Sequence, residues 1–368
     1  MLASGAAMFA AALAAIPAAA DWAPAPDVFV QTNGFGGNAV IVYARHDDGS
    51  LSLAGQYSTG GLGGRETGSV VDPLASQGGL TYDPEHQLLI ALNAGSNTAS
   101  VFEVVGRRLE LVQIVETHGM FPTSVAVHGS LAYVLNAGGA GSIEGFWIAN
   151  GKLHPIEGST RSLGLGNSNP PFYLSSPGQV GFAPDGRSLI VTTKSNNTID
   201  IFAVSEDGRP SADPAISPSA GAVPFAFAFD RAERLIVTEA GTSSLSSYVI
   251  NSDRSLSVVD ASVANHQAAT CWIATARGYY YVANAGSGDL SGYRINSSGQ
   301  LSLIGGTDVA ATTDGGPIDL VASPGGRYLY VESGGTGNVD IFRVTFNGTL
   351  MPLGSVAATP GLEGIAAS

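Results

Sequence analysis

The sequence predicts an all-β protein, a seven-bladed β-propeller of four-stranded antiparallel blades whose first blade is closed by the C-terminal strand. Three observations predict it. A three-run unit recurs with a period of roughly 45 residues, the signature of stacked supersecondary repeats. Seven hairpin turns mark the copies: DDGSL (47–51), VGRRL (105–109), NGKL (150–153), EDGRP (206–210), SDRSL (252–256), SSGQL (297–301) and NGTL (347–350). Finally, the first unit lacks a run that reappears at the opposite end of the chain.

Each unit reads as an apolar run such as YYYVAN, a Gly or Asn turn, a second run such as DLSGYRI, the hairpin turn, and a third run such as QLSLIGG. The alternation within runs has period two, which argues for strands rather than helices. Asp-Gly and Asn-Gly turns suit hairpins because Gly and Asn tolerate positive φ. A further run precedes six of the units: GGLTYDP, TSVAVHG, GQVGFAPDG, FAFAFDR, CWIATARG and IDLVASPGG. The first unit starts abruptly at VFVQTN (28–33), and the unpaired copy is LEGIAAS (362–368). A strand missing at one end and left over at the other implies a closed ring, which removes exposed sheet edges. A single propeller domain over 21–368 is expected. Two stretches break the period, 60–76 and 165–177, and long connections in compact domains are often functional lids.

The composition agrees with this reading. There are 49 glycines, 12% charged residues and 44% hydrophobic residues, a balance too apolar for disorder and suited to short strands with tight turns. A formal charge of −14 argues against nucleic-acid partners or an anionic membrane surface. Residues 1–20 form an apolar, Ala-rich run ending Ala18-Ala19-Ala20, which reads as a secretory signal peptide cleaved after Ala20. A secreted or periplasmic location is therefore expected, with no membrane insertion after signal removal and a monomeric state. Cys271 is the sole cysteine, so no intramolecular disulfide can form, and its apolar neighbours suit a buried thiol.

Self-sufficient catalytic motifs are absent. The sequence has no Gly-x-Ser-x-Gly elbow and no P-loop, and its six histidines show no metal-ligand spacing. Neither a metal nor a cofactor is expected. A propeller instead concentrates side chains at one mouth of its channel, where ligands bind. The residues ending each second strand are Asn33, Asn93, Asn136, Lys194, Glu239, Asn284 and Glu332. The asparagines suit turn formation in left-handed geometry, and Asn93, Asn136 and Asn284 are also candidate substrate contacts. Lys194, Glu239 and Glu332 depart from that pattern, and a cation with two acids around one rim could bind a polar ligand or move a proton. A direct Lys194–Glu239 pair across adjacent blades is the structural alternative. Entries to the inner strands add His118, Gln179, His266, Trp272 and Asp319. Arg65 and Glu66, in the first insertion, could close over the mouth.

The stretches VGFAPDGRSLIVTTKSNNTIDIFAV (180–204), CWIATARGYYYVANAGSGDLSGYRI (271–295) and LVASPGGRYLYV (320–331), with the split first blade, resemble the seven-bladed lactonase family of 6-phosphogluconolactonase and carboxymuconate-cyclase type. The resemblance implies metal-independent hydrolysis or cycloisomerisation of a small lactone at the channel mouth. Where that family presents a Pro-His-x-His-like stretch, this chain carries SSPGQVGFAPDGR (175–187), with Gln179 and no histidine. In a hydrolase, Glu239 or Glu332 would serve as general base while Lys194 and Gln179 stabilise the oxyanion. An exported propeller that binds a small polar ligand, glycan or protein without catalysis is the competing expectation, because propellers host both.

Overall fold

A computed structural model describes Met1 and residues 26–368; the expected signal segment lies outside the described residues, apart from Met1. Seven antiparallel sheets form the blades. Blades two to seven begin with the innermost strands Leu80–Asp83, Pro122–His128, Pro177–Phe182, Pro224–Phe229, Thr270–Ala276 and Pro317–Ala322. Each continues outward through its second, third and fourth strands. Blade one is different: Asp27–Gln31, Ala39–Arg45 and Leu51–Ser58 are its outer three, and Ile365–Ala367 supplies the innermost strand. Val28 pairs with Ala367 and Val30 with Ile365, so the two ends of the chain meet in one sheet. Neighbouring innermost strands contact one another around the whole ring, which is closed.

The expected hairpin turns join third to fourth strands. Gly49, Gly106, Gly151, Gly208, Gly299 and Gly348 have positive φ there. In the SDRSL turn Arg254 takes that geometry, with φ 67°. Blades three and six depart from the regular pattern. Their outer strands are split into Lys152–Pro155 with Arg161–Ser162 and Leu301–Leu303 with Ala311–Thr312.

The core lies between blades, and strand alternation explains why. In blade one Val28, Val30, Ile41 and Tyr43 pack towards Tyr328, Tyr330, Val339 and Ile341 of blade seven. Their alternates Phe29, Val40 and Val42 pack towards Leu80, Leu89 and Phe102 of blade two. Both faces of a middle strand are thus covered, which is why these runs are almost continuously apolar. A tyrosine at the third position of three second strands adds a latch. Tyr133, Tyr281 and Tyr330 donate to the hairpin-glycine carbonyls of the next blade, Gly208, Gly348 and Gly49, at 2.6, 2.7 and 3.1 Å. The last of these ties blade seven to blade one.

Ring closure by the tail makes a specific prediction. Ile365 is 5% exposed and sits in the cluster shared by blades one and seven. Ile365→Ala is expected to cost roughly 2–4 kcal/mol, the range for truncating a buried aliphatic side chain. Urea unfolding checks this, and a loss no larger than that of a surface substitution would mean the tail does not complete the sheet.

Candidate active site

The first insertion is the element that makes this channel mouth. Residues 76–79 run between the innermost strands before entering blade two. Trp272 of blade six donates from Nε1 to the Ser76 carbonyl at 2.7 Å, and Ser76 Oγ donates to Thr123 of blade three at 2.8 Å. Gln77 exchanges two hydrogen bonds with the backbone of Ile273, at 2.9 and 3.0 Å, while its N–H reaches Gly178 of blade four. A segment held at once by blades three, four and six must lie across the channel, so it forms a stopper. Leu74 anchors it in a small apolar cluster with Ala94, Phe121 and Ala137.

Above the stopper lies a cavity of about 360 Å³. Blades five and six contribute Phe225, Ala240, Ala269, Cys271 and Trp272, and the second insertion contributes Tyr173 and Leu174. The two insertions also pair with each other, Thr67 bridging to Phe172. The walls are apolar, and the Phe225 and Trp272 rings meet edge to face at 5.0 Å. Lys194 and Asp72 are the charged side chains that line the space.

Lys194 is 2% exposed. Its Nζ donates to the Ala75 carbonyl at 2.6 Å, lies 5.2 Å from the centre of the Phe225 ring, and sits 4.0 Å from Oε2 of Glu66. Glu66 is itself buried and accepts a 2.8 Å hydrogen bond from Ser176 Oγ. Loss of hydration pushes the Glu66 carboxyl up to about 8 and the Lys194 amine down, so burial favours the uncharged form of both partners. The nearby charges of Glu66, Asp72, Cys271 and Glu363 pull Lys194 the other way. Asp72 is held rigidly: Oδ1 accepts the N–H groups of Leu74 and Ala75 at 2.8 Å each, and Oδ2 that of Ser76 at 3.1 Å.

Of the residues expected at the rim, the structure brings Lys194 and Trp272 together and places the others elsewhere. The acid beside Lys194 is Glu66, from the insertion, and not Glu239, the partner that the structural alternative offered. Glu239 is enclosed by its own blade. It accepts from Gly221 N–H, Ser219, Ser246 and Tyr248 on one oxygen, at 2.6 to 3.2 Å, and from Ser244 and Ser262 on the other, at 2.7 and 3.0 Å. Glu332 is buried, where Oε2 accepts from Gly364 N–H at 3.2 Å and Oε1 has no hydrogen-bond partner among the described residues. Burial and the neighbouring Asp319 raise its pKa well above the usual carboxylate range. Asp319 is pushed up to about 7, first by burial. Glu363, raised well above its usual value by burial and then by Asp72, completes this acidic group.

The remaining candidates are scaffold or surface. Gln179 Oε1 accepts the Phe227 N–H at 2.7 Å and so joins blades four and five. Asn284 accepts from Asn265 and Thr270 and donates to Asp289 and Ser291, all within 2.9 Å. Asn93 is engaged in the same way with Asn38, Thr59, Thr98 and Ser100, and Asn136 donates to the Thr117 carbonyl at 3.2 Å. The expected left-handed backbone is found only at Asn33, φ 47°, among these asparagines; the others bridge the third strand to the preceding connection with their side chains. His118 and His266 lie away from the cavity, their side chains 47% and 73% exposed, each 3.2 Å from an acid, Glu144 and Asp308. Arg65 is exposed and reaches the Ser69 carbonyl at 3.4 Å. Cys271 is a free, buried thiol at the cavity wall, pushed up to about 12 by burial. Asp72 and the stopper itself had no repeat signal in the sequence; the Asp-Pro pair at 72–73, a turn-initiating dipeptide, was the available hint.

No protein-family model and no curated sequence matches the chain. Solved structures do match. The periplasmic gluconolactonase PpgL of Pseudomonas aeruginosa superposes with a TM-score of 0.70 at 17% identity, over 93% of this chain and 98% of its own. A candidate 6-phosphogluconolactonase from Bacteroides fragilis gives 0.73 at 15% identity, over 96% and 100%. A protein from Lactobacillus plantarum gives 0.71 at 15% identity, over 93% and 99%. The expected resemblance to lactonase-type propellers therefore holds at the level of the fold.

The buried carboxyls set a pH dependence. A carboxyl raised on folding keeps its proton after the unfolded chain has lost it, so unfolding releases protons and stability falls as pH rises through that window. The window runs from the unfolded values of 3.8 and 4.5 to about 6 for Asp27, 7 for Asp319 and 8 for Glu66. Lys194 works in the opposite sense, one amine against these three together with Glu332 and Glu363. The unfolding free energy is expected to fall between pH 5 and pH 8, by about 1.4 kcal/mol per pH unit for each net proton released. Urea unfolding across that range measures it, and Glu332→Gln is expected to flatten the slope.

Proposed function

We propose that this protein is an exported hydrolase of a small, uncharged lactone, acting in the cavity above the stopper. One observation carries the reading: a buried lysine and a rigidly held aspartate line the same apolar cavity at the channel mouth. The fold shared with PpgL, described as a periplasmic gluconolactonase, and the Ala-rich leader support it.

Ester hydrolysis needs a base for the attacking water and a donor where negative charge develops. In this reading Asp72 takes the proton from water as its oxygen attacks the carbonyl carbon. Lys194 Nζ–H donates to the developing oxyanion. Collapse breaks the ring C–O bond, and the proton on Asp72 passes to the leaving alkoxide. Glu66 stands 4.0 Å from Nζ as the acid beside Lys194. Neither arginine nor histidine lines the cavity among the described residues, which favours an uncharged, weakly hydroxylated ring over a phosphorylated sugar.

The competing reading is a binder without catalysis. It draws on Glu239 and Glu332, the two acids expected to be catalytic, standing outside the cavity lining. Lactone hydrolysis followed across alkyl and sugar lactones separates the two. Lys194→Met and Asp72→Asn are each expected to lower kcat/KM by about 10²–10³, the usual cost of losing an oxyanion donor or positioned base. Folded variants with unchanged turnover would overturn this assignment. A ligand that raises Tm without being consumed would mark the protein as a binder.

A further inference from the structure

We propose that Lys194 is also an imine-forming amine, and that the cavity takes a small, predominantly apolar aldehyde or ketone whose carbonyl carbon becomes bonded to Nζ. The chain has two lysines, Lys152 and Lys194. Lys152 stands exposed in the NGKL hairpin turn, where water keeps an amine charged. Lys194 is the only amine on the cavity wall among the described residues, and the walls around it are the rings of Phe225 and Trp272 with Ala240 and Ala269.

Geometry supplies what the addition requires. In the uncharged amine one N–H satisfies the Ala75 carbonyl, leaving the lone pair for a carbonyl carbon in the cavity. Desolvation in an apolar pocket is one of the ways proteins activate a lysine nucleophile, and it is the largest influence on Lys194. Glu66, 4.0 Å from Nζ, is an acid kept protonated by burial. Its other oxygen, Oε1, has no hydrogen-bond partner among the described residues.

The step balances as follows. Nζ forms a bond to the carbonyl carbon while the carbonyl π pair moves to oxygen, and a proton passes from nitrogen to that oxygen to give a carbinolamine. The nitrogen lone pair then expels the hydroxyl, which leaves as water with the proton of the Glu66 carboxyl. An iminium on Lys194 and a carboxylate on Glu66 remain, so the buried charges appear as a pair. Exclusion of bulk water by the walls slows hydrolysis back to the carbonyl.

This chemistry is separate from lactone hydrolysis, in which Lys194 stays unmodified. The test incubates the full chain with benzaldehyde, or with 2-heptanone, and sodium cyanoborohydride near neutral pH, then maps the reduced adduct by mass spectrometry. The reduced adduct is expected predominantly on Lys194 rather than Lys152, because the desolvated cavity amine is the activated nucleophile. Adduct confined to Lys152 and the terminal amine overturns the inference. Lys194→Met, checked for cooperative unfolding, should lose the cavity adduct while Lys152 labels as before. Lactone turnover on the same preparation keeps the two readings apart. Hydrolysis without a Lys194 adduct overturns the imine and leaves the hydrolase standing; adduct without hydrolysis supports the imine and removes the hydrolase.

Discussion

A blade of this protein cannot hide its two apolar faces by itself, and everything else follows from that constraint. Val28 and Phe29 are adjacent in the chain yet belong to different interblade clusters, one shared with blade seven and the other with blade two. Each sheet is therefore folded only against its neighbours, and the ring must close for the first and last sheets to be covered at all. Closure is made covalently economical by sending the tail back into blade one, and the Tyr330–Gly49 latch holds the same seam from the outside.

Once closed, the ring encloses a channel that has to be filled or solvated. Here the first insertion fills it, and its polar atoms are matched to the backbones of several blades at once. That filling is what buries Lys194. Without residues 66–77 the amine would face an open channel and remain hydrated; with them it is confined among a carbonyl, an aromatic ring and an acid. The unusual chemistry of the lysine is thus a consequence of packing rather than of its own blade.

The same economy explains the acids. Equivalent positions in different blades carry Asn93, Asn284, Glu239 and Glu332, and the first three bridge the third strand to the adjoining connection. Glu239 does with a carboxylate and five hydroxyls what Asn284 does with an amide. Glu332, next to the tail, accepts from the Gly364 N–H and neighbours Asp319, and burial raises its pKa well above the usual carboxylate range. One repeated position has become glue in some blades and a buried acid in another, according to what the neighbouring segment offers.

The chain's repeats were enough to determine the architecture. Period-two alternation, seven hairpin turns and an orphan tail run are local patterns, and a strand or turn is decided by residues within a few places of each other. The choice of Lys194 as an outlier was legible for the same reason, since it breaks a repeated Asn. Its partner was not. Glu66 and Asp72 sit in a non-repeating insertion more than a hundred residues away, and Glu239 appeared equivalent to Lys194 only because repeat position says nothing about which way a long connection folds. Tertiary structure alone decided that the insertion crosses the channel, because burial in a cavity is a property of what surrounds a side chain and not of the side chain's place in its strand.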